Sequence, residues 1–515
     1  MLVSADTGTV ASSLRQARLA LRSAWYDAAL ELLDGCEDWP TAPAEEAVVL
    51  KGETLGRRDP VGALEWLTGL DDVIVTPAGR FAYELTVGKA YANVRDLRSA
   101  DSRYDAAAGL AQYVPAGAAA LAYHRARVRW MRREFDPHGA DIALAVTHPD
   151  PNVAAAAFAV RAWHHGSLGR FGEQKADFRR VLAYADAPTE EPVDVATLAV
   201  TCHSFARVAF ETADAEAVAE VRRAYARINW TADVEVDRFQ TMRVFGWDSF
   251  MRGESGQAQW AFKDARAMAP SLAWRVMAHL DRAFVARIAR NEAWAVEELA
   301  EADRLACDVR WESTQGEERL ALVTLAVLHT ATNAKRAQRY AAMFSQLGVE
   351  NVNPTLALSA DRRAHGFAQY AQGRIDQTLG RREAAAASLS QAYALFDGLD
   401  YHYQAAMAAS GLAEVTGDMA WRDAAMRHAG AYPGCPLAAM VDEALRAEDA
   451  LPRELTPLQR QMVRAMWSGA DTAELSRRFS RSAYTIERQV AAIYAAFGVA
   501  SRAQLLEHAR SRGVA

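Results

Sequence analysis

The chain has 515 residues, of which 51% are hydrophobic and 24% charged. This length exceeds what one ordinary hydrophobic core accommodates, and the balance is typical of a globular protein, which excludes a disordered or fibrous chain. No run of 18 or more apolar residues occurs, so we expect no membrane span. The N-terminus lacks the basic start and apolar core of a secretory signal, so we expect a cytoplasmic protein.

The charge is distributed unevenly. Residues 453–515 contain ten Arg, no Lys and five acidic residues, which gives +5. Because the whole chain carries −7, residues 1–452 carry −12. An acidic body repels nucleic acid, whereas a small basic segment attracts it, so the two parts are predicted to have different functions.

Nearly the whole chain is predicted to be helical. Ala, Leu, Arg and Glu dominate, and few segments alternate apolar and polar residues with a period of two. Prolines fall mainly between apolar-periodic stretches, at Pro40, Pro43, Pro188, Pro192 and Pro354, where we expect helices to stop. The sequence therefore predicts an all-α fold.

Three segments share one spacing of small and large residues. A glycine is followed by alanine after 12 positions, a large apolar residue after 16 and a second alanine after 19. The sets are Gly88, Ala100, Tyr104 and Ala107; Gly246, Ala258, Phe262 and Ala265; and Gly373, Ala385, Leu389 and Ala392. This spacing resembles the tetratricopeptide repeat, in which a small residue lets two antiparallel helices approach each other closely.

The resemblance implies a helical-repeat domain over residues 1–445. With about 34 to 45 residues per helical pair, it would hold roughly ten to twelve pairs, stacked into a superhelix with a concave face. Such a face implies a protein, peptide or small-molecule effector as partner. The alternative is an α-helical array without tetratricopeptide geometry. We expect Trp260 and Trp294 to lie in the core of this domain.

The segment 441–455 is acidic and contains Pro452, which predicts the end of a helix followed by a linker. We place the hinge at residues 446–454 and the C-terminal domain at residues 455–515.

The C-terminal domain has four predicted helices. Capping patterns begin the first at Thr456, the second at Asp471 or Thr472, the third at Ser482 and the last at Ser501. The second and third helices each carry apolar residues at helical spacing, which predicts one buried core. These core residues are Leu475, Phe479, Ile486, Val490, Ile493 and Phe497.

Several short pieces of this domain occur in a characteristic order over about 55 residues. They are LTPLQRQMV, Gly469, AELSRRF, the S-x-x-T-I of residues 482–486, IYAAFGV and SRAQL. Together they resemble the LuxR-type helix-turn-helix domain. The resemblance implies that the third helix enters the major groove of promoter DNA, and that the last helix contributes to a homodimer on a two-fold-related site.

Because Ile486, Val490 and Ile493 point inward, Tyr484, Glu487, Arg488, Ala491 and Ala495 are predicted to point outward. The family usually has basic residues where Glu487, Ala495 and Ala496 stand, and commonly has His where Gln489 stands.

Two interpretations of this face remain open. In the first, Arg488 contacts a guanine edge, Gln489 an adenine and Glu487 a cytosine amino group, while arginines, a serine and a tyrosine hold phosphates. The predicted DNA-binding residues are Arg477, Arg478, Arg481, Ser482, Tyr484, Thr485, Glu487, Arg488, Gln489 and Arg502. In the second, the domain has lost DNA binding and mediates protein–protein contacts within a helical-repeat scaffold.

No other motif indicates chemistry. The chain lacks G-x-x-x-x-G-K-[ST] and H-E-x-x-H, and the adjacent His164 and His165 would diverge by about 100° on a helix. Its four cysteines lie far apart and are interpreted as buried or idle thiols. We therefore predict no enzyme activity, metal or cofactor.

These features predict a one-component transcription regulator. It would be cytoplasmic, and associated with the nucleoid when bound to DNA. We also predict that the acidic body covers the C-terminal domain until a partner binds.

Overall fold

The fold is that of a computed structural model. It describes residues 7–36, 39, 41–186, 193–228, 230, 234–289, 291–314, 316–349, 359–436, 438–439, 450–452 and 454–512. Within these ranges the chain forms helices and no strand, which confirms the predicted all-α class. In the same ranges, no helix is both long and apolar enough to cross a bilayer.

Twenty-two helices, α1 to α22, precede the C-terminal region in the described part of the chain. Their bounds are α1 Thr7–Arg22, α2 Tyr26–Leu32, α3 Thr41–Arg58, α4 Pro60–Thr68, α5 Pro77–Asn93, α6 Leu97–Ala108, α7 Gly117–Met131, α8 Ala140–Ala145, α9 Pro151–Ser167, α10 Phe171–Asp186, α11 Val195–Glu211, α12 Ala215–Tyr225, α13 Glu235–Met251, α14 Ser255–Ala267, α15 Leu272–Ile288, α16 Glu292–Ala306, α17 Gly316–His329, α18 Ala334–Phe344, α19 Ser359–Thr378, α20 Arg382–Asp397, α21 His402–Thr416 and α22 Met419–Ala429. Short 3-10 turns lie at Asp71–Val73, Ala111–Tyr113 and Trp311–Ser313, and a π turn lies at Ser345–Val349.

These helices follow one another as helical pairs. The first helix of a pair packs against the second, as α5 does with α6 and α15 with α16, and also against the first helix of the next pair, as α5 does with α7 and α15 with α17. The short connections make the two helices of a pair antiparallel. This is the arrangement of tetratricopeptide-like repeats.

The glycine spacing has the predicted structural role. A Cβ atom on Gly88 would lie 2.4 Å from Tyr104, and one on Gly246 would lie 2.7 Å from Phe262. At the third copy the clash would be with the side chain of Leu389, at 2.6 Å from Gly373. The small and large residues that follow each glycine are all buried. Glycine is therefore required where the large side chain of the second helix crosses the first.

The chain divides into two compact units. The first comprises Met1–Val208 and Glu216–Arg238, and the second comprises Ala209–Ala215 and Phe239–Ala515. The second unit contains both the later repeats and the C-terminal helices. The predicted hinge at 446–454 lies largely outside the described residues, and the domain boundary at residue 455 remains a prediction.

One core prediction is wrong. Trp260 is 64% exposed, whereas Trp294 is half-buried and donates its indole N–H to Glu298 at 2.9 Å. Trp260 lies two residues from both Ala258 and Phe262, which are buried. Two residues correspond to about 200° on a helix, so the tryptophan points to the opposite side.

The prediction that a helix stops at Pro43 is also wrong. It is the third residue of α3, where we expected a helix to stop. The first turn tolerates proline because its backbone N–H groups have no partner within the helix.

Four helices form the C-terminal bundle. They are α23 Pro457–Trp467, α24 Thr472–Phe479, α25 Ala483–Phe497 and α26 Arg502–Ser511. Each begins at a residue whose side chain accepts a hydrogen bond from the backbone N–H three positions later, namely Thr456, Asp471, Ser482 and Ser501. The capping box at Thr456 and Gln459 is complete, whereas Gln504 accepts from Ala500 N rather than from Ser501.

Candidate nucleic-acid interface

Helices α24 and α25 are joined by residues 480–482. Ser480 adopts the left-handed conformation (φ 51°) and ends α24, and Ser482 then caps α25. A turn of three residues is the length that helix-turn-helix motifs use between their two helices. Leu475 and Phe479 of α24 are buried in the same cluster as Ile486 and Ile493 of α25.

Helix α25 has one buried face and one exposed face. Ile486 and Ile493 are fully buried, and Val490 and Phe497 pack half-buried against the same core. The opposite face is exposed to solvent. Its residues are Tyr484, Glu487, Arg488, Ala491 and Ala495. Tyr484 is 70% exposed, which is unusual for a large aromatic side chain with no binding partner.

Three of the predicted DNA-contacting arginines are exposed and unpaired. Arg477 at the end of α24, Arg481 in the turn and Arg488 on α25 have no acidic partner within ion-pairing distance among the described residues. Each retains its full complement of guanidinium donors. These side chains are available to a phosphate or a base edge.

Other predicted residues are committed to contacts within the bundle. Arg502 is half-buried and donates to the carbonyl oxygen of Met466 at 3.3 Å, which ties the start of α26 to the end of α23. The hydroxyl of Ser482 accepts from Thr485 N at 3.2 Å and lies 2.9 Å from its Oγ1. Gln489 is half-buried.

Arg478 lies in a different environment from its neighbours on α24. Its Nε is buried and has no hydrogen-bond partner in the described part of the chain. Burial, together with the positive charges of Arg287 and Arg374, lowers the pKa of Arg478 to about 10. Both of those arginines belong to repeat helices, so the predicted phosphate-binding side chain faces the repeats instead.

The first bundle helix packs on the repeats. Helix α23 contacts α19, and a Cβ atom on Gly380 would lie 3.2 Å from Cβ of Leu458. Gly380 has φ +75°, a conformation that glycine adopts without strain. No pattern in the sequence indicates this contact of Leu458.

A half-buried ion-pair network joins the same two regions. Arg464 of α23 lies 3.1 Å from Glu414 Oε2 on α21, and Arg374 of α19 lies 3.5 Å from the same oxygen. Gln377 Nε2 donates to it at 2.7 Å. Burial alone would raise the pKa of Glu414, but the two arginines and the amide outweigh burial and lower it. No local motif in the sequence indicates this network.

The repeats contact α23 and Arg478 but leave the outward face of α25 exposed. That the acidic body masks the C-terminal domain until a partner binds stays a prediction. Complementary charges of the repeats and the bundle meet at Glu414 and Arg464.

Comparisons with known proteins give structural similarities only. No protein-family model matches the chain, and no curated protein matches it. Among solved structures, a chain of the APC/C hetero-tetramer Cut9–Hcn1 has a TM-score of 0.40 at 14% identity, covering 94% of this chain and 91% of that chain. The apo form of the quorum sensor NprR from B. thuringiensis has a TM-score of 0.38 at 15% identity, covering 76% of this chain and 97% of that chain. At TM-scores below 0.5, neither similarity supports an inference about function.

Proposed function

We propose that this protein is a DNA-binding transcriptional regulator. The observation that carries the proposal is the exposed outer face of α25, with Tyr484, Glu487 and Arg488, in a bundle of net charge +5. The short turn between α24 and α25 supports the proposal, because in helix-turn-helix domains the helix after such a turn enters the major groove of DNA.

Base contacts are assigned to two exposed neighbours. The Arg488 guanidinium has the planar pair of donors that fits guanine O6 and N7, and Glu487 is an acceptor for a cytosine amino group. A carboxylate in the groove weakens attraction to any phosphate backbone, so Glu487 raises selectivity at the cost of non-specific affinity. Gln489 reaches adenine only if its half-buried side chain turns outward.

Phosphate contacts are assigned to Arg477 and Arg481, which lie at either side of the turn. Unpaired arginines next to the base-contacting helix fix its orientation without reading sequence. Ser482 and Thr485 support the start of α25, and Arg502 holds α26 to α23, so these three act through the geometry of the bundle.

The repeat body has the role of binding a partner. Tetratricopeptide-like pairs expose a continuous surface made by their first helices, which suits a protein, a peptide or a small ligand. The bundle acts as a homodimer on a two-fold-related site, with α26 at the dimer contact.

The test is selection of genomic DNA fragments by the purified full-length protein, alongside Arg488→Ala and Glu487→Lys variants. We expect one motif to be enriched by the native protein and lost in Arg488→Ala. Glu487→Lys should bind more DNA with less selectivity, and its log affinity should fall more steeply with log salt, by about 0.9 for one added phosphate contact.

A scaffold function would give a different pattern. If the native protein enriches no motif while Glu487→Lys gains binding, the bundle has kept its fold and mediates protein contacts. Glu487 at the centre of the exposed face is the observation that favours this alternative.

A further inference from the structure

An ion pair helps to hold the C-terminal bundle on the repeats. Glu414 of α21 lies 3.1 Å from Arg464 of the bundle helix α23, and it also accepts a hydrogen bond from Gln377 at 2.7 Å. The side chain of Glu414 is only 10% exposed, so removal of Arg464 would leave its charge poorly hydrated. The contact of Leu458 with Gly380 adds apolar packing to the same bundle helix.

The docked bundle also brings arginines together. Arg374 of α19 lies 3.5 Å from the oxygen of Glu414 that Arg464 contacts. Burial, and then the charges of Arg287 and Arg374, lower the pKa of Arg478 on the bundle helix α24. The Nε atom of Arg478 is shielded from solvent and has no hydrogen-bond partner among the described residues. Docking therefore places the guanidinium of Arg478 where its charge is disfavoured, and the attraction of Glu414 for Arg464 opposes this effect.

Two acidic residues reduce the repulsion at Arg478 without removing it. Glu474 of α24 and Glu292 of α16 both favour the charged form of Arg478. Both are exposed to solvent, which screens their charges. The pKa of Arg478 stays below its ordinary value despite them, so the docked position still disfavours this cation.

Arg478 lies in the part of the bundle that we assign to phosphate contacts. It follows Arg477 and is three residues from Arg481, and both of these arginines are exposed. In helix-turn-helix complexes the first helix of the motif, here α24, crosses the DNA backbone. A bundle released from the repeats can therefore offer Arg478 to a phosphate, whereas the docked bundle holds this side chain against the repeats.

We propose that the pair Glu414–Arg464 is a latch that lowers the affinity of the protein for DNA. While the latch is closed, Arg478 lies against the repeats and the exposed face of α25 binds DNA without it. When the latch opens, the bundle gains one phosphate contact. The open form therefore binds DNA more tightly, and DNA binding and opening favour each other.

The latch differs from a cover over the recognition helix. Arg488 is exposed while the latch is closed, so opening changes the strength of DNA binding and leaves the base preference unchanged. The effect on DNA affinity rests on the proposed function, whereas the docking role of Glu414 and Arg464 does not.

The test uses the full-length variants Glu414→Gln and Arg464→Gln, which change the net charge in opposite directions. General attraction to DNA would rise in the first variant and fall in the second. An open latch instead raises DNA affinity in both, roughly fivefold at about 0.1 M salt, and steepens the slope of log affinity against log salt by about 0.9. Fluorescence anisotropy measures both quantities, with a duplex carrying the motif that the native protein selects, or a mixed-sequence duplex if it selects none.

Hydrogen exchange without DNA measures docking independently. The amides of α23 should exchange faster in both variants than in the native protein, because α23 is the bundle helix that packs on α19. The amides of α25 serve as the internal reference, and their unchanged exchange shows that the bundle itself stays folded.

Arg478→Met, combined with each variant, removes the contact that the latch withholds, and should cancel the gain in affinity. An equal gain in the presence of Arg478→Met would overturn the proposal. Unchanged or opposite shifts of DNA affinity in the two charge variants would overturn it as well, and so would unchanged exchange of α23. Faster exchange of α23 with no DNA binding by any of the proteins would refute the proposed function and the regulatory effect, and would retain only the docking role of the pair.

Discussion

Arginine serves opposite purposes in the repeats and in the C-terminal bundle. In the repeats, buried arginines pair with carboxylates, as Arg243 does with Asp281 through contacts of 2.6 and 3.1 Å. On the exposed side of the bundle, Arg477, Arg481 and Arg488 have no acidic partner in the part of the chain that the structure describes. Net charge alone does not reveal this difference, because the difference depends on which arginines are already paired with a carboxylate.

This comparison distinguishes arginines that stabilise helix packing from arginines that a ligand can contact. A buried arginine with two acceptors stabilises helix packing and can give nothing to a ligand without leaving a buried carboxylate unpaired. An exposed arginine with no partner contributes little to stability. It can release counterions when it meets a phosphate. The following predictions test this separation from the largest expected effect to the smallest.

The largest effect is expected at Arg363. It lies half-buried between Glu211, at 3.0 Å, and Glu317, at 2.7 Å, and these carboxylates raise its pKa although burial alone would lower it. Arg363→Ala leaves both carboxylates without this cation, and should cost about 3–5 kcal/mol in the free energy of unfolding of the second unit. Urea denaturation followed by circular dichroism measures the loss. Arg363→Lys, which keeps the charge but not the forked geometry, should cost less, and equal losses in both variants would contradict the pairing argument.

Arg488→Ala should weaken DNA binding and leave the stability of the fold almost unchanged, the reverse of the pattern expected for Arg363→Ala. Its loss of specific DNA affinity should be about 1–3 kcal/mol, with relaxed preference at one base position. The free energy of unfolding should change by no more than about 0.5 kcal/mol. Fluorescence anisotropy with the selected motif and with single-base variants measures the first quantity. A variant that loses stability instead would place Arg488 with the structural arginines.

Arg478 is the intermediate case. Arg478 is half-buried and its Nε has no hydrogen-bond partner among the described residues. Arg478→Met should therefore stabilise the full-length protein by about 1 kcal/mol, because an apolar side chain of similar length has no charge to desolvate. Because this side chain faces the repeats, the same variant should leave the salt dependence of DNA binding unchanged. Thermal unfolding and a salt titration measure the two effects. A lower melting temperature would mean that the guanidinium contributes net stability where it lies.

The smallest effect is expected from mild acid on the contact between Arg464 and Glu414. Since the pKa of Glu414 in the folded protein is lowered, its contribution to stability is present above the pKa of an ordinary glutamate. It is lost only as the pH falls through the lowered value. Hydrogen exchange of α23 amides, corrected for intrinsic rates, should therefore be unchanged between pH 7 and pH 5.5. Faster exchange at pH 5.5 would indicate that a different titrating group holds the bundle on the repeats.

Sequence patterns predicted features that depend on residues close together in the chain. The glycine at each close approach and the large residue 16 positions later form one helical hairpin, so their spacing is set by helix and turn lengths alone. The caps Thr456, Asp471 and Ser482 depend on only three following residues. The inward stripe of α25 predicted its outward face for the same reason.

Features that depend on distant residues could not be predicted in this way. Glu414 and Arg464 are 50 positions apart, and no pattern in either segment indicates that they meet. The burial of Arg478 follows from the same packing. The exposure of Trp260 could have been predicted, because its separation of two residues from both Ala258 and Phe262 indicates the outer side of the helix. The prediction of a core position was wrong because it relied on residue type.

The glycine-centred hairpins also bear on how the chain reaches its folded state. The two residues in contact within each hairpin are only 16 positions apart. The pairs are Gly88 and Tyr104, Gly246 and Phe262, and Gly373 and Leu389. Contacts of such low sequence separation form quickly and cost little loop-closure entropy. During synthesis from the N-terminus, each hairpin can fold before the next emerges. The bundle follows the repeats in the chain, so Leu458 and Arg464 leave the ribosome after the segments that contain Gly380 and Glu414, when the surface on which the bundle packs can already be folded.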